Sequence, residues 1–208
     1  MKVTPTVNQT TLLAAPEEVA AAARRVAAEG IVCVPDALSP EACAHLLREV
    51  EAAPFVPEPE TTGPVQQRLD TLELGDELAS YPAIRELRDE LAAAVQRHAP
   101  LRAWKPNDAS VLRYRPGETI GITPHLDGRR YGLVVAVVTI AGRARVSRHE
   151  TREGPPVQTW PIEPGTLMLV RGPGLTGPDE RPFHSVSGPI GDGPRYSIGY
   201  RLDTTRTS

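Results

Sequence analysis

The sequence has few of the features that mark secreted or membrane-bound proteins. Two of its 208 residues are cysteines, and both Cys33 and Cys43 lie in apolar stretches, which favours buried thiols over a disulfide framework. The start of the chain lacks the basic segment and the apolar run of a secretory signal, and no apolar run is long enough to span a bilayer. The sequence therefore predicts a cytoplasmic protein without a membrane partner.

An excess of positive charge is also missing. The formal net charge is −3, which does not favour binding to a nucleic-acid backbone, so we expect a small-molecule substrate as the partner. The apolar fraction of 40% is ordinary for a globular protein, and no shift in composition divides the chain. We therefore expect a single domain over residues 1–208.

The N-terminal part, residues 1–108, has mainly helical patterns. Helices are predicted over residues 16–29, 39–53 and 81–98, and a short apolar strand over residues 31–34. Residues 54–76 are rich in proline and polar side chains, which predicts a surface excursion that shapes the mouth of a pocket.

From about residue 109 the apolar period changes from helical to two, and turn residues recur at short intervals. This pattern predicts eight antiparallel strands that form a jelly-roll or cupin-like core over residues 109–202, backed by the N-terminal helices. The fold class is α+β and mainly β. The strands are expected around residues 110–115, 121–127, 132–140, 143–149, 156–161, 166–171, 182–187 and 194–202.

The most informative stretch contains His125 and Asp127. Alternate side chains of a strand point to the same face, so the imidazole and the carboxylate project together. They make two-thirds of a 2-His-1-carboxylate site, which suits a non-haem ferrous ion because it leaves coordination positions open. The third ligand must come from elsewhere in the chain, and His184 is the best placed of the remaining histidines.

The last predicted strand has a second polar pair on one face. Arg195 and Ser197 alternate onto the same side, whereas Tyr196, Ile198 and their neighbours form an apolar opposite face. A guanidinium gives two parallel hydrogen bonds and a hydroxyl gives a third, so the pair predicts a carboxylate clamp.

The order H-x-D, distal His and R-x-S resembles the Fe(II)/2-oxoglutarate-dependent oxygenases. The resemblance implies a double-stranded β-helix that holds Fe(II) through His125, Asp127 and His184 as the catalytic centre. It also implies that Arg195 and Ser197 bind the distal carboxylate of 2-oxoglutarate.

In many relatives a tyrosine also reaches the co-substrate, and Tyr114 matches it. With O2, such enzymes release succinate and CO2 and most commonly hydroxylate an unactivated C–H. Halogenases of the family replace the carboxylate ligand by a small residue, so the presence of Asp127 disfavours that outcome.

The sequence says less about the substrate. Arg113, Arg129 and Arg201 are candidate substrate residues, and an arginine cluster at the pocket mouth would favour an anion. We expect hydroxylation of a small metabolite, either an amino acid or a natural-product intermediate. His149 is expected in an exposed hairpin rather than at the metal.

Three alternatives remain open. The arginines at 195 and 201 have the spacing of AlkB-like nucleic-acid demethylases, but Leu112 stands where that group has asparagine. A non-catalytic cupin-type module with a structural metal would have no need of the Arg195–Ser197 pair. A protein hydroxylase related to the prolyl hydroxylases is also compatible with the motifs.

Overall fold

The computed structural model describes residues 11–177 and 180–206, and within them three α-helices lie where the sequence predicts them. They are α1 Pro16–Glu29, α2 Pro40–Val50 and α3 Pro82–Val95. Each has proline in its first turn, where the missing N–H costs no hydrogen bond. Two short 3-10 helices, Gly75–Ser80 and Ala99–Leu101, flank α3. No helix in these residues is long and apolar enough to cross a membrane.

The same residues contain thirteen strands, and all eight strands predicted after residue 109 are among them. Their ends differ from the predictions by at most three residues. The first five are β1 Ile31–Val34, β2 Val56–Pro57, β3 Thr61–Thr62, β4 Val65–Gln66 and β5 Leu69–Glu73. The others are β6 Asp108–Tyr114, β7 Ile120–His125, β8 Tyr131–Ala141, β9 Arg143–His149, β10 Pro156–Ile162, β11 Leu167–Arg171, β12 Phe183–Ile190 and β13 Arg195–Asp203.

Eleven of these strands form two facing antiparallel sheets, and β3 and β4 pair separately. The large sheet has the order β1-β11-β8-β13-β6-β5-β2, and the small sheet has the order β10-β9-β12-β7. Along the chain the last eight strands alternate between the large and the small sheet, except that β9 and β10 are both in the small sheet, and this arrangement is a double-stranded β-helix. The predicted fold class is therefore confirmed.

The large sheet has one face against the helices and one face against the small sheet. On the helix side, Ile198 and Tyr200 of β13 are fully buried, and the Tyr200 hydroxyl donates to the carbonyl of Ile84 in α3. On the inner side, the apolar residues of both sheets form a second cluster that includes Val135, Val146 and Val186. The inner faces therefore enclose a largely apolar interior.

The prediction that residues 54–76 are a surface excursion is wrong for their last part. β5 pairs with β6 in the large sheet, and its residues Leu69 and Leu72 are buried. The earlier strands β3 and β4 form a small hairpin that lies along β7, where the backbone N–H of Gln66 donates to the Thr123 hydroxyl at 2.9 Å. This segment therefore extends the scaffold around the strand that carries His125.

Candidate metal centre and anion pocket

Two strands of the small sheet bring the predicted metal-binding residues together. His125 ends β7 and His184 lies near the start of β12, and the two are direct cross-strand partners. Asp127 follows β7 by two residues, and its Oδ1 lies 4.0 Å from His125 Nε2 and 3.8 Å from His184 Nε2. One ligand atom from each residue lies within 4.8 Å of the others, a separation that fits one bridging cation.

Backbone hydrogen bonds orient both imidazoles. His125 Nδ1 lies 3.0 Å from the carbonyl oxygen of Thr123, and His184 Nδ1 lies 3.1 Å from that of Pro182. Because a carbonyl only accepts, each Nδ1 donates to it, and each Nε2 is left to face Asp127. Such a bond from the second ring nitrogen is the usual way in which a protein fixes a histidine ligand.

The electrostatics of the cluster also suit a cation. Burial, and after it the neighbouring His184 ring, lowers the pKa of His125 to about 4, although Asp127 opposes the shift. Asp127 Oδ2 is buried and has no hydrogen-bond partner in the described part of the chain. Two imidazoles whose Nε2 atoms face Asp127, together with an unsatisfied carboxylate oxygen, are a donor set that fits a divalent metal ion.

The large sheet contributes a buried cation to the same interior. Arg195 is 2% exposed, and its Nη2 donates to the hydroxyl of Thr139 at 2.8 Å. Its guanidinium carbon lies 4.8 Å from the ring centroid of Tyr114, the cross-strand partner of Arg195. Burial in this apolar interior lowers the pKa of Arg195, whereas Tyr114 opposes the shift.

Spare hydrogen-bonding capacity surrounds this guanidinium. Within the described residues, Arg195 Nε, Arg195 Nη1 and Ser197 Oγ are buried without a partner. Leaving a buried charge and its donors unsatisfied is costly, so the arrangement favours an anion with several acceptor oxygens. Thr139 was missed at the level of sequence, because its place beside Ser197 depends on the pairing of β8 with β13.

Of the candidate substrate residues, Arg201 lies on the inner face. Its guanidinium folds back over Gly199, where a side chain would come within 2.9 Å of Nη2. It is bound by Asp108 at 2.9 Å and by the Ser110 hydroxyl at 2.8 Å, and it lies over the ring of Tyr131. Arg201 is therefore already engaged within the pocket wall.

The other two candidates are located differently. Arg129 is exposed in the loop that follows Asp127. Arg113 points away from the inner face, so its position does not support its prediction as a substrate residue. It binds Asp70 through two nitrogens at 2.8 and 3.0 Å and lies over the Phe55 ring, because neighbours of Tyr114 on a strand must face the opposite side.

The hairpin between β9 and β10 is closer to the centre than predicted. His149 is buried, with Nδ1 bonded to the Gly154 carbonyl at 2.9 Å and Nε2 to the Ser185 hydroxyl at 2.8 Å, so its expected exposure is wrong. Arg152, at the tip of this hairpin, donates to the Pro124 carbonyl at 2.7 Å and lies over the Phe183 ring. It thus contacts the residue before each histidine ligand.

No protein-family model matches the chain, and no curated protein matches its sequence. Solved structures match the fold. A prolyl hydroxylase from Trichoplax adhaerens, in complex with a hypoxia-inducible-factor peptide, aligns with a TM-score of 0.66 at 15% identity, covering 96% of each chain. The epimerase SnoN from nogalamycin biosynthesis aligns at 0.62 and 20% identity, covering 90% of this chain and 82% of that one. A Pseudomonas putida prolyl-4-hydroxylase gives 0.56 at 20% identity, with 88% and 98% covered.

Two of these structures are prolyl hydroxylases, and SnoN is a non-haem α-ketoglutarate-dependent epimerase. At these sequence identities the similarity shows only the double-stranded β-helix fold. Any statement about chemistry must be argued from the residues of the site.

Proposed function

We propose that the protein is an Fe(II)- and 2-oxoglutarate-dependent dioxygenase that hydroxylates an unactivated C–H of a small metabolite, with release of succinate and CO2. The observation that supports the proposal is that two groups of polar side chains with unpartnered buried atoms face the same interior. A His-Asp-His cluster with spare donor atoms lies on one sheet, and a buried arginine with spare N–H groups lies on the other. An iron ion and a dicarboxylate would complete both.

His125, Asp127 and His184 would hold the iron, which together with O2 and 2-oxoglutarate supplies the oxidising power that no side chain has. The Nδ1 hydrogen bonds keep both rings oriented before the metal binds, so little ordering remains to be done on binding. The charge of Asp127 offsets part of the charge of the cation.

Arg195 and Ser197 would bind the distal carboxylate of the co-substrate. Nη2 is held by Thr139 and the guanidinium plane is packed against Tyr114, which leaves Nε, Nη1 and the Ser197 hydroxyl to donate to the carboxylate. The apolar residues of the inner faces exclude water, which strengthens this charge-assisted contact.

A peptide is the second candidate substrate. The prolyl hydroxylase from Trichoplax adhaerens, solved with a peptide bound, aligns over 96% of this chain. Against this, the epimerase SnoN and the carbocyclase SnoK, both from nogalamycin biosynthesis, align over 90% and 87% of the chain. The nucleic-acid alternative loses support because Arg201, the second arginine of that spacing, is bound by Asp108 within the wall.

The test is a spectrum of the ferrous protein. Fe(II) and then 2-oxoglutarate are added without oxygen, and the visible charge-transfer band of a 2-oxo acid chelated to iron is measured. We expect a band that is weakened in both His184→Ala and Arg195→Ala. Metal binding without a band would contradict the 2-oxo acid role and favour a cupin-type metal protein, and failure to bind metal would remove the enzyme proposal.

A further inference from the structure

Besides Arg195 and Arg201, a third arginine of the interior lies beside the metal cluster. Arg148, on β9, is the cross-strand partner of His184, which in turn pairs with His125 on β7. Along β9 it follows Ala144 and Val146, whose side chains belong to the inner cluster, so Arg148 projects from the same inner face. It therefore lies in one row with the two histidines.

Arg148 is unpaired, whereas the arginines around it are used by the fold. Its Nε is buried without a hydrogen-bond partner, and residues 11–177 and 180–206 offer it no ion pair. By contrast, Arg171 donates to the carbonyls of Ala27 and Glu180, and Arg181 donates to the carbonyl of Asp127. Arg148 as a whole is half-buried, but a buried guanidinium nitrogen that bonds to no neighbour marks a candidate binding group, because its desolvation is otherwise uncompensated.

A cavity of about 390 Å³ opens at Arg148. Leu126, which lies between two metal-cluster residues, and Phe183, which precedes the third, line it together with Arg148. Its acidic residues are Glu29, which is bound by Arg25 at 2.7 Å, and Glu150, which is exposed. The cavity thus has room for a small polar group and no buried carboxylate that would repel an anion.

We propose that Arg148 binds the carboxylate or phosphate group of the substrate, so that the substrate is an anion anchored beside the metal centre. That the bound anion is a substrate rests on the proposed function, but the binding of an anion at Arg148 does not require iron. The two arginines then have different ligands, because Arg195 binds the co-substrate and Arg148 binds the substrate.

The experiment follows the Nε–H resonances of both arginines by nuclear magnetic resonance in the full-length ¹⁵N-labelled chain. Both Nε atoms are buried, so their protons are shielded from exchange with water. Arg148→Lys and Arg195→Lys assign the two signals. Inorganic phosphate and acetate are then titrated in separate samples, and 2-oxoglutarate is titrated in a third.

We expect phosphate or acetate to shift the Arg148 signal with saturation, and the two anions distinguish a phosphate site from a carboxylate site. In Arg148→Gln, the affinity measured on neighbouring backbone amides should fall about tenfold to a hundredfold, because a charge-assisted hydrogen bond is lost. Arg145→Gln is the matched control, since it removes the same charge from the exposed face of β9.

An Arg148 signal that neither anion moves would overturn the proposal, as would equal losses in Arg148→Gln and Arg145→Gln. The proposed function fails in a different way in the same experiment, because then 2-oxoglutarate would leave the Arg195 signal unchanged.

Discussion

The two sheets prepare their polar side chains for binding in different ways. On the small sheet, each histidine uses one nitrogen for a backbone carbonyl and directs the other toward Asp127. On the large sheet, Arg195 is held by the Thr139 hydroxyl and the Tyr114 ring, and most of its donors remain free in the described residues. The small sheet thus offers lone pairs to a cation, and the large sheet offers N–H groups to an anion.

The largest effect on metal binding is expected when one of the two histidines is removed from the small sheet. His184→Ala should lower Mn(II) affinity by more than about a hundredfold, since loss of even an outer partner of a ligand costs tenfold to a hundredfold. Competition with a chromophoric chelator measures it, and His45→Ala, on the exposed side of α2, is the control. Unchanged Mn(II) binding in His184→Ala would exclude this residue as a ligand.

The matching change on the large sheet should spare the metal. Arg195→Ala is expected to raise the 2-oxoglutarate concentration needed for half-saturation about tenfold to a hundredfold, because a charge-assisted clamp contributes about 1.5–3 kcal/mol. Mn(II) affinity should stay within error of the wild type. If 2-oxoglutarate binding were untouched, the clamp would lie elsewhere.

A smaller effect is expected from the hairpin that braces the small sheet. Arg152→Gln removes the contacts to Pro124 and Phe183 and should lower Mn(II) affinity by about tenfold without changing the thermal midpoint of the metal-free protein. Arg152→Lys keeps a donor for the carbonyl and should recover part of the affinity. Equal Mn(II) affinity in Arg152→Gln and the wild type would show that Arg152 does not help to position the metal-binding residues.

The smallest effect on the site should come from the outer face of the large sheet. The hydrogen bond from Arg115, and after it that from Arg113, lowers the pKa of Asp70. A carboxyl with a lowered pKa in the folded state stabilises the protein above its unfolded pKa, and this contribution is lost as the pH falls through the folded value.

Asp70→Asn should therefore lower the free energy of unfolding by about 1–2 kcal/mol at neutral pH, and the difference should vanish in acid. The two arginines are partly exposed, so solvent screening limits the effect. Denaturant titrations at several pH values measure the difference, while 2-oxoglutarate and Mn(II) binding stay unchanged. A constant difference at all pH values would argue against an ionic contribution.

Local periodicity was enough to predict two pairs of neighbouring polar side chains, whereas His184 was predicted from the order of the motifs along the chain. The alternation of His125 with Asp127, and of Arg195 with Ser197, depends on single strands, and the structure brings these residues to the inner faces. The same rule should have excluded Arg113 from the site, because it is adjacent to Tyr114 and so must lie on the other face.

Other parts of the site depend on pairings between distant segments. β5 joins β6 across about 40 residues of sequence, and Thr139 reaches Arg195 only through the register of β8 with β13. Arg148 is similar, because its position beside His184 follows from the pairing of β9 with β12. No local period in the sequence encodes these contacts, since each depends on which strands become neighbours.

The absence of a side chain at Gly199 makes room for the side chain of Arg201, so the residues at these two positions should depend on each other in related sequences. The guanidinium of Arg201 occupies the space where a side chain at position 199 would begin. A side chain at 199 would displace the end of the Arg201 side chain from its contacts with Asp108 and Ser110, so we expect the two positions to vary together. Where a related sequence has a side chain at 199, we expect 201 to lose its arginine, whereas Asp108 keeps a cationic partner in Arg206 at 3.0 Å.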